Sequence, residues 1–364
     1  MTIGEIINML ETVAPPSLQE SWDNSGLLTG RSTTDCSGVL LALDVTDAVL
    51  SEAVSRGCNL VVAHHPMIFK GLKRIDEDEP TGRLTAFAIR HDLAVYAMHT
   101  NLDNIIGGVN GVLADRFGLT DRRVLQPMNG QLMKLVCMIP EGHLEAVSRA
   151  VFEAGAGRIG DYEDCGFTTS GIGTFTPMSG ANPFIGAEGR PETVREHRFE
   201  VILPAWRQRP VLAAMRSAHP YEEVAFDLVK LENEWSGVGS GIIGRLPAPM
   251  TEAAFLEHVK AVTGLPVLRH SRLTGRPIQT LALCGGAGAF LIRRAVGVRA
   301  DAYLTGDLKY HDFFEPDGRL LLADIGHYES EHSAVDLLYN ILTKKNHTFA
   351  VLKSETDTNP VNYH

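Results

Sequence analysis

Thiols are few and scattered. The 364 residues include five cysteines, Cys36, Cys58, Cys137, Cys165 and Cys284, with no CxxC pair among them. An odd number without paired spacing excludes a disulfide framework and a thiolate zinc knot, and leaves reduced packing residues. No run of 18 apolar residues occurs, so no membrane-spanning helix is expected. Basic runs are missing too: 33 Lys and Arg stand against 44 Asp and Glu, a net charge of −11. That balance argues against nucleic acid or an anionic membrane as the main partner. The opening Met1-Thr2-Ile3-Gly4-Glu5 has neither a basic stretch nor an apolar core, so no signal peptide and a cytoplasmic location are expected. Hydrophobic residues make 44% and charged residues 21% of the chain, as in ordinary globular proteins, and the length predicts two or three domains.

Three apolar, strand-like runs end in residues that ligate metals. Cys58–Ala63 ends in His64 and His65, and Pro66, with no N–H to donate, stops the strand. Leu93–Met98 leads into His99-Thr100-Asn101-Leu102-Asp103. Leu320–Ile325 leads through Gly326 to His327-Tyr328-Glu329-Ser330-Glu331, read as the start of a helix running on through Leu342. On a helix His327 and Glu331 share a face and Glu329 points away. Carboxyl ends of buried strands form the binding crevice of α/β sheets. His64, His65, Asp103, His327 and Glu331 therefore make a mixed N/O set that suits Zn, Mn or Fe(II). Five ligands exceed the usual three of one catalytic zinc, and fit two ions about 3.5–4 Å apart bridged by a carboxylate, for which Asp103 is the candidate.

Residues 1–127 alternate strands with helices, and 236–364 repeat the style, which predicts an α/β protein with mainly parallel sheets. The middle, 128–235, reads strand, helix, strand, strand, helix, strand, the ferredoxin-like order. A long exposed hairpin loop is expected at Met178–Glu196. None of the five candidate ligands falls in this segment, which looks inserted.

The chain resembles the GTP cyclohydrolase I type 2 family, also called the Nif-three-like proteins. The motifs that carry the resemblance are Trp22-Asp23-Asn24-Ser25-Gly26-Leu27, Ala63-His64-His65-Pro66 and His99-Thr100-Asn101-Leu102-Asp103. Thr305-Gly306-Asp307-Leu308-Lys309-Tyr310-His311, Gly326-His327-Tyr328-Glu329-Ser330-Glu331 and Asp357-Thr358-Asn359-Pro360 complete them. The resemblance implies two α/β lobes (1–127 and 236–364) around a cleft with two divalent metal ions held by His64, His65, Asp103, His327 and Glu331. It also implies a PII/CutA-like insert (128–235), a toroidal homohexamer with the metal sites facing an interior cavity, and GTP or another nucleotide as substrate.

His99, Asp307, Lys309, His311 and Glu329 are further candidates for orienting ligands or moving protons, against the plainer reading of loop capping. Cys284-Gly285-Gly286-Ala287-Gly288 lacks the ending of a nucleotide P-loop and reads as a tight strand-to-helix turn. Trp22-Asp23-Asn24-Ser25-Gly26 reads as a turn pinned by a buried Trp. His332 reads as solvated. Two functions follow: a two-metal hydrolase, or a metal-binding regulatory or scaffold protein without turnover, its insert sensing a small molecule.

Overall fold

The structure, a computed structural model, describes residues 1–344 and 349–364. Among them Met1–Pro127 with Gly237–His364 form one compact unit, and Met128–Ser236 a second.

The first unit contains two sheets. One runs in the order β1 (Gly26–Thr29), β4 (Ala94–Ala97), β3 (Leu60–Ala63), β2 (Gly38–Ala42), β15 (Ala350–Lys353). Only the edge strand β1 is antiparallel to its neighbour. Every residue of β2, β3 and β4 is buried, because helices cover both faces. Ile3, Ile6 and Leu10 of α1 (Ile3–Val13) and Leu338 and Leu342 of α11 (Ala334–Thr343) pack on one face. Val49, Leu50 and Ala53 of α2 (Asp47–Ser55) and Leu84 and Ala88 of α3 (Pro80–Arg90) pack on the other. Local chemistry starts these helices: Thr2 and Glu5 close a capping box on α1, and the Thr46 hydroxyl accepts from Val49 N to cap α2.

The other sheet has the order β11 (Arg269–His270), β14 (Leu321–Asp324), β13 (Ala302–Thr305), β12 (Ile278–Leu283), β10 (Gly239–Met250), β5 (Thr120–Pro127). Here the expectation of mainly parallel sheets is corrected. Only β12, β13 and β14 run parallel, while β5–β10, β10–β12 and β11–β14 are antiparallel. Leu113 and Ala114 of α5 (Val109–Arg116) and Phe255 and Val259 of α8 (Glu252–Thr263) cover one face, and Ile292 and Ala295 of α9 (Ile292–Gly297) the other. The segments on either side of the second unit exchange strands: β5 joins the later sheet and β15 the earlier one.

The second unit is a four-stranded antiparallel sheet in the order β7 (Gly166–Phe175), β8 (Glu192–Pro204), β6 (Leu132–Pro140), β9 (Phe226–Leu231). Val147 and Val151 of α6 (Leu144–Glu153) and Val211 and Met215 of α7 (Gln208–Ala218) pack with Leu135, Cys137, Phe199 and Val201 of the sheet as its core. The connection from β7 to β8 is shorter than expected, because β8 already begins at Glu192 and its residues as far as Glu196 pair with β6 or β7.

Candidate metal centre

Strand ends bring the candidate ligands together. Backbone pairing continues one step past β3, with His64 N donating to Ala42 O and His65 N to Leu43 O, before Pro66 turns the chain. Asp103 ends the one-turn helix α4 (Thr100–Asp103) after β4. Gly326, at φ 74°, turns the chain from β14 into α10 (His327–Glu331), which puts His327 and Glu331 on one face. The single long helix expected from 327 to 342 is two helices, α10 and α11, with a turn at His332 and Ser333 between them.

Each imidazole is fixed by an acceptor from a neighbouring strand or its flanking loop. His64 Nδ1 donates to Met98 O (2.9 Å), just past β4. His65 Nδ1 donates to Asp44 Oδ1 (2.7 Å), just past β2. His327 Nδ1 donates to Asp307 Oδ2 (2.7 Å), just past β13. His99 Nδ1 donates to Asp23 Oδ1 (2.7 Å), just before β1. A carbonyl or carboxylate can only accept, so all four protons sit on Nδ1 when the rings are neutral, and Nε2 is left with its lone pair.

Those Nε2 atoms converge. His65 Nε2 and His327 Nε2 each lie 3.0 Å from Glu331 Oε2 and 3.3 Å from one another. His64 Nε2 lies 3.6 Å from Asp103 Oδ1 and 3.8 Å from Glu331 Oε2. Three groups have mutually close donor atoms: His64, His65 and His99; His65, His327 and Glu331; His64, Asp103 and Glu331. Glu331 is the carboxylate common to two of these groups, and Asp103 belongs to one.

Among the described residues buried His64 Nε2 and Asp103 Oδ1 have no hydrogen-bond partner. Unpaired buried polar atoms are costly, and a cation between them removes the cost, so the residues present fit a divalent ion. Charge within the cluster leads the same way. Burial, the largest influence on His65 and His327, opposes their protonation, yet Asp44, Glu331 and Asp307 outweigh it and push them up to about 10 and about 9. Burial pulls His64 down to about 3. Burial opposes charge on Glu331 as well, but His327 and His65 hold it well below the usual carboxylate range. Burial and the Glu331 charge push Asp103 up. Protons on His65 and His327 thus supply the positive charge that Glu331 demands, which a divalent cation would also supply.

The other sequence candidates separate. His99 belongs to the cluster, with its ring 5.3 and 5.4 Å from those of His64 and His65. Asp307 orients His327. Glu329, expected to point away from the His327–Glu331 face, lines the same cavity and accepts from Asn359 Nδ2 (3.1 Å). His311 does not reach the site: it is exposed on the short 3-10 turn Tyr310–Phe314, against Tyr310 and Phe314, and Lys309 is likewise outside the cavity wall. The turn at 306–310 carries both residues away from the strand end. His332 is half-buried against Tyr328 rather than solvated. In the 284–288 turn the N–H groups of Cys284, Gly285, Gly286 and Gly288 are spent within the protein, on Leu304 O, Asn110, Ser330 and Thr305.

Trp22 corrects the expectation of a buried ring pinning its turn, since it is 56% exposed, and buried Asp23 is the anchor instead. Asp23 Oδ2 accepts from Ser25 Oγ and from Thr100 N and Oγ1, and its partners hold the carboxyl well below its ordinary range against burial. Asp23 and Asp44 were missed in the sequence. Asp44 had a usable signal, because it follows a buried parallel strand just as His64 and His65 do. The cavity around the cluster measures about 890 Å³.

A model of the Duf34/NIF3 (NGG1p interacting factor 3) family matches residues 1–360. Proteins of Halalkalibacterium halodurans and Bacillus subtilis, each named GTP cyclohydrolase 1 type 2 homolog, are 39% and 37% identical to this chain. The alignments cover 98% of both chains in the first case, and 99% of this chain and 98% of the other in the second. The crystal structure of a Bacillus cereus protein related to NIF3 superposes with a TM-score of 0.88 at 37% identity, covering 100% of this chain and 99% of that one. The chain belongs to the Duf34/NIF3 family.

Proposed function

We propose that this protein is a metal-dependent hydrolase that binds two divalent ions, Zn, Fe or Mn, through His64, His65, Asp103, His327 and Glu331. Its substrate in this reading is a small molecule of the nucleotide class, as the relatives' name, GTP cyclohydrolase 1 type 2 homolog, suggests. The observation that carries the proposal is the convergence of oriented imidazole Nε2 atoms on Glu331 beside two buried atoms without partners among the described residues. When bound, such ions lower the pKa of a coordinated water to about 7 and polarise the group it attacks.

The chain's own groups do the rest. Asp44, Asp307 and the Met98 carbonyl keep each ligand imidazole in the tautomer with a free Nε2. His99, fixed by Asp23 through Nδ1, retains Nε2 as a base that takes a proton from the attacking water and returns it to the leaving group. Glu329, held by Asn359 on the cavity wall, is a second site for a proton. The inserted segment is proposed as a ferredoxin-like, PII/CutA-like module, and the assembly as a homohexamer, which light scattering of the purified protein tests.

Protein loaded separately with Zn, Mn and Fe(II) is given GTP, and metal content and formate release are measured together. Two ions per chain and formate release that Asp103→Ala abolishes are expected. Two ions per chain with no formate under any metal discards the cyclohydrolase activity in favour of a regulatory or scaffold role; fewer than two discards the dinuclear site.

A further inference from the structure

Two large aromatic rings stand open to the cavity beside the imidazoles. Trp22 and Phe69 are 56% and 45% exposed, and their rings stack 5.7 Å apart at 28°. Each meets His99 near edge-on, at 6.1 and 6.0 Å, so their surface lies one imidazole away from His64 and His65. Adjacent exposed aromatics on a cavity wall mark a surface that a ligand covers, and their faces favour a planar ring.

A hydrogen-bonding edge lies two residues away. Glu20 lines the same cavity, with its backbone N–H fixed on Thr100 Oγ1 (2.9 Å). Its Oε1 accepts from Asn104 Nδ2 (3.2 Å), while among the described residues Oε2 accepts no hydrogen bond and no cation pairs with the carboxylate. The turn that presents a stacking face thus also presents a free, positioned acceptor. By contrast, the wall offers phosphates little. Among the described residues its one Lys or Arg is Arg269, taken by Asp324 and the Leu308 carbonyl, against seven Asp and Glu side chains. An anionic tail thus meets a wall on which carboxylates outnumber the one paired arginine.

We propose that the cavity recognises a planar nitrogen heterocycle, with its face on the Trp22–Phe69 stack and adjacent N–H donors of its edge on Glu20. Guanine, whose N1–H and exocyclic amino group lie side by side, has that edge; adenine does not. This rests on the proposed function for the cavity's being the substrate site, and adds that selectivity is for the ring rather than for the triphosphate.

Guanosine and adenosine, which carry no phosphate, are titrated calorimetrically into the full-length protein, with and without Zn. Guanosine is expected to bind more tightly than adenosine. Trp22→Ala is expected to weaken guanosine about 5- to 100-fold, the range for loss of one stacking partner. Trp22 is exposed, so its removal leaves the core intact, and Trp22→Phe is expected to retain most of the binding. Glu20→Gln keeps the acceptor for Asn104 and is expected to abolish the preference for guanosine while adenosine binding stays as it was. Equal binding of both nucleosides by the wild type, no binding of either at millimolar concentration, or unchanged guanosine affinity in Trp22→Ala overturns the inference. Ring-selective binding without formate release from GTP retains it and removes the hydrolase reading. Formate release without ring selectivity does the reverse.

Discussion

At His65 the nitrogen facing Asp44 decides what the other nitrogen can do. With Nδ1–H committed to the carboxylate at 2.7 Å, Nε2 has no tautomeric alternative and points at Glu331. Asp44→Asn leaves an acceptor but removes the charge that strengthens the bond and raises the basicity of the ring. A loss of metal affinity of about 10- to 100-fold is expected, with little change in melting temperature, measured by competition with a chromophoric chelator. Gly286 makes a similar point by steric means. Its φ is +58°, and a Cβ there falls 2.2 Å from Glu331 Oε1 and 3.2 Å from His327 Nε2. Gly286→Ala is therefore expected to displace Glu331 and reduce bound metal per chain, while a circular dichroism spectrum stays that of the wild type. That the five candidate ligands come together was legible in the sequence, because His-His-Pro and the i, i+4 pair sit at strand ends. Their orienting partners were less legible: Asp23 and Asp44 precede their histidines by 76 and 21 residues, and only the strand pairing brings them close.

Among the elements, α2 secures the segment after β15. The Glu52 carboxylate accepts from Ser354 Oγ (2.6 Å), Glu355 N (3.0 Å) and Thr356 Oγ1 (3.0 Å), as well as from Arg56. Two residues further on, Thr358 Oγ1 donates to Asp44 Oδ2 (2.8 Å), so this anchor leads to the candidate metal centre. Burial, the largest influence, opposes ionisation of Glu52, but the bonds to Ser354, Glu355 and Arg56 bring its pKa down to about 2. A carboxyl depressed in the folded state stabilises above its ordinary pKa of 4.5 and ceases to do so as pH falls through about 2. Glu52→Gln is expected to cost about 2 kcal/mol at pH 7, since bonds to a charged acceptor become bonds to a neutral one. In urea titrations at several pH values the difference from wild type should shrink below pH 4.5 and vanish near 2; a constant difference would remove the charge from the explanation. Elements with uniform patterns were legible: buried β2, β3 and β4 read as apolar runs, and α6 runs from Leu144 to Glu153 as its periodicity predicts. β10 was not, because Gly239-Ser240-Gly241 and Pro247-Ala248-Pro249 interrupt its apolar centre and mimic loops.

For the whole molecule, the exchange of β5 and β15 between sheets means that neither outer segment completes a sheet alone. No single-sequence pattern reveals such an exchange, since an edge strand fits equally well beside either sheet until tertiary packing chooses. The second unit is tied to this topology differently. Pro127, the last residue before it, and Gly239, just after it, are partners in the β5–β10 ladder, and Val238 bridges to Ile105. The first unit's chain thus departs and returns at paired positions, the condition under which a short turn can replace everything between. Met128–Ser236 also has its own buried core, and no residue of the metal cluster belongs to it. Replacing Met128–Ser236 with Asn-Gly, the turn that fits a tight antiparallel connection, is therefore expected to leave a folded protein with the same metal content per chain. Elemental analysis beside a thermal melt checks it. A folded variant that has lost its metal would mean that the second unit supports the centre from outside the ligand set. A variant with full metal and altered mass in light scattering would assign that unit to assembly.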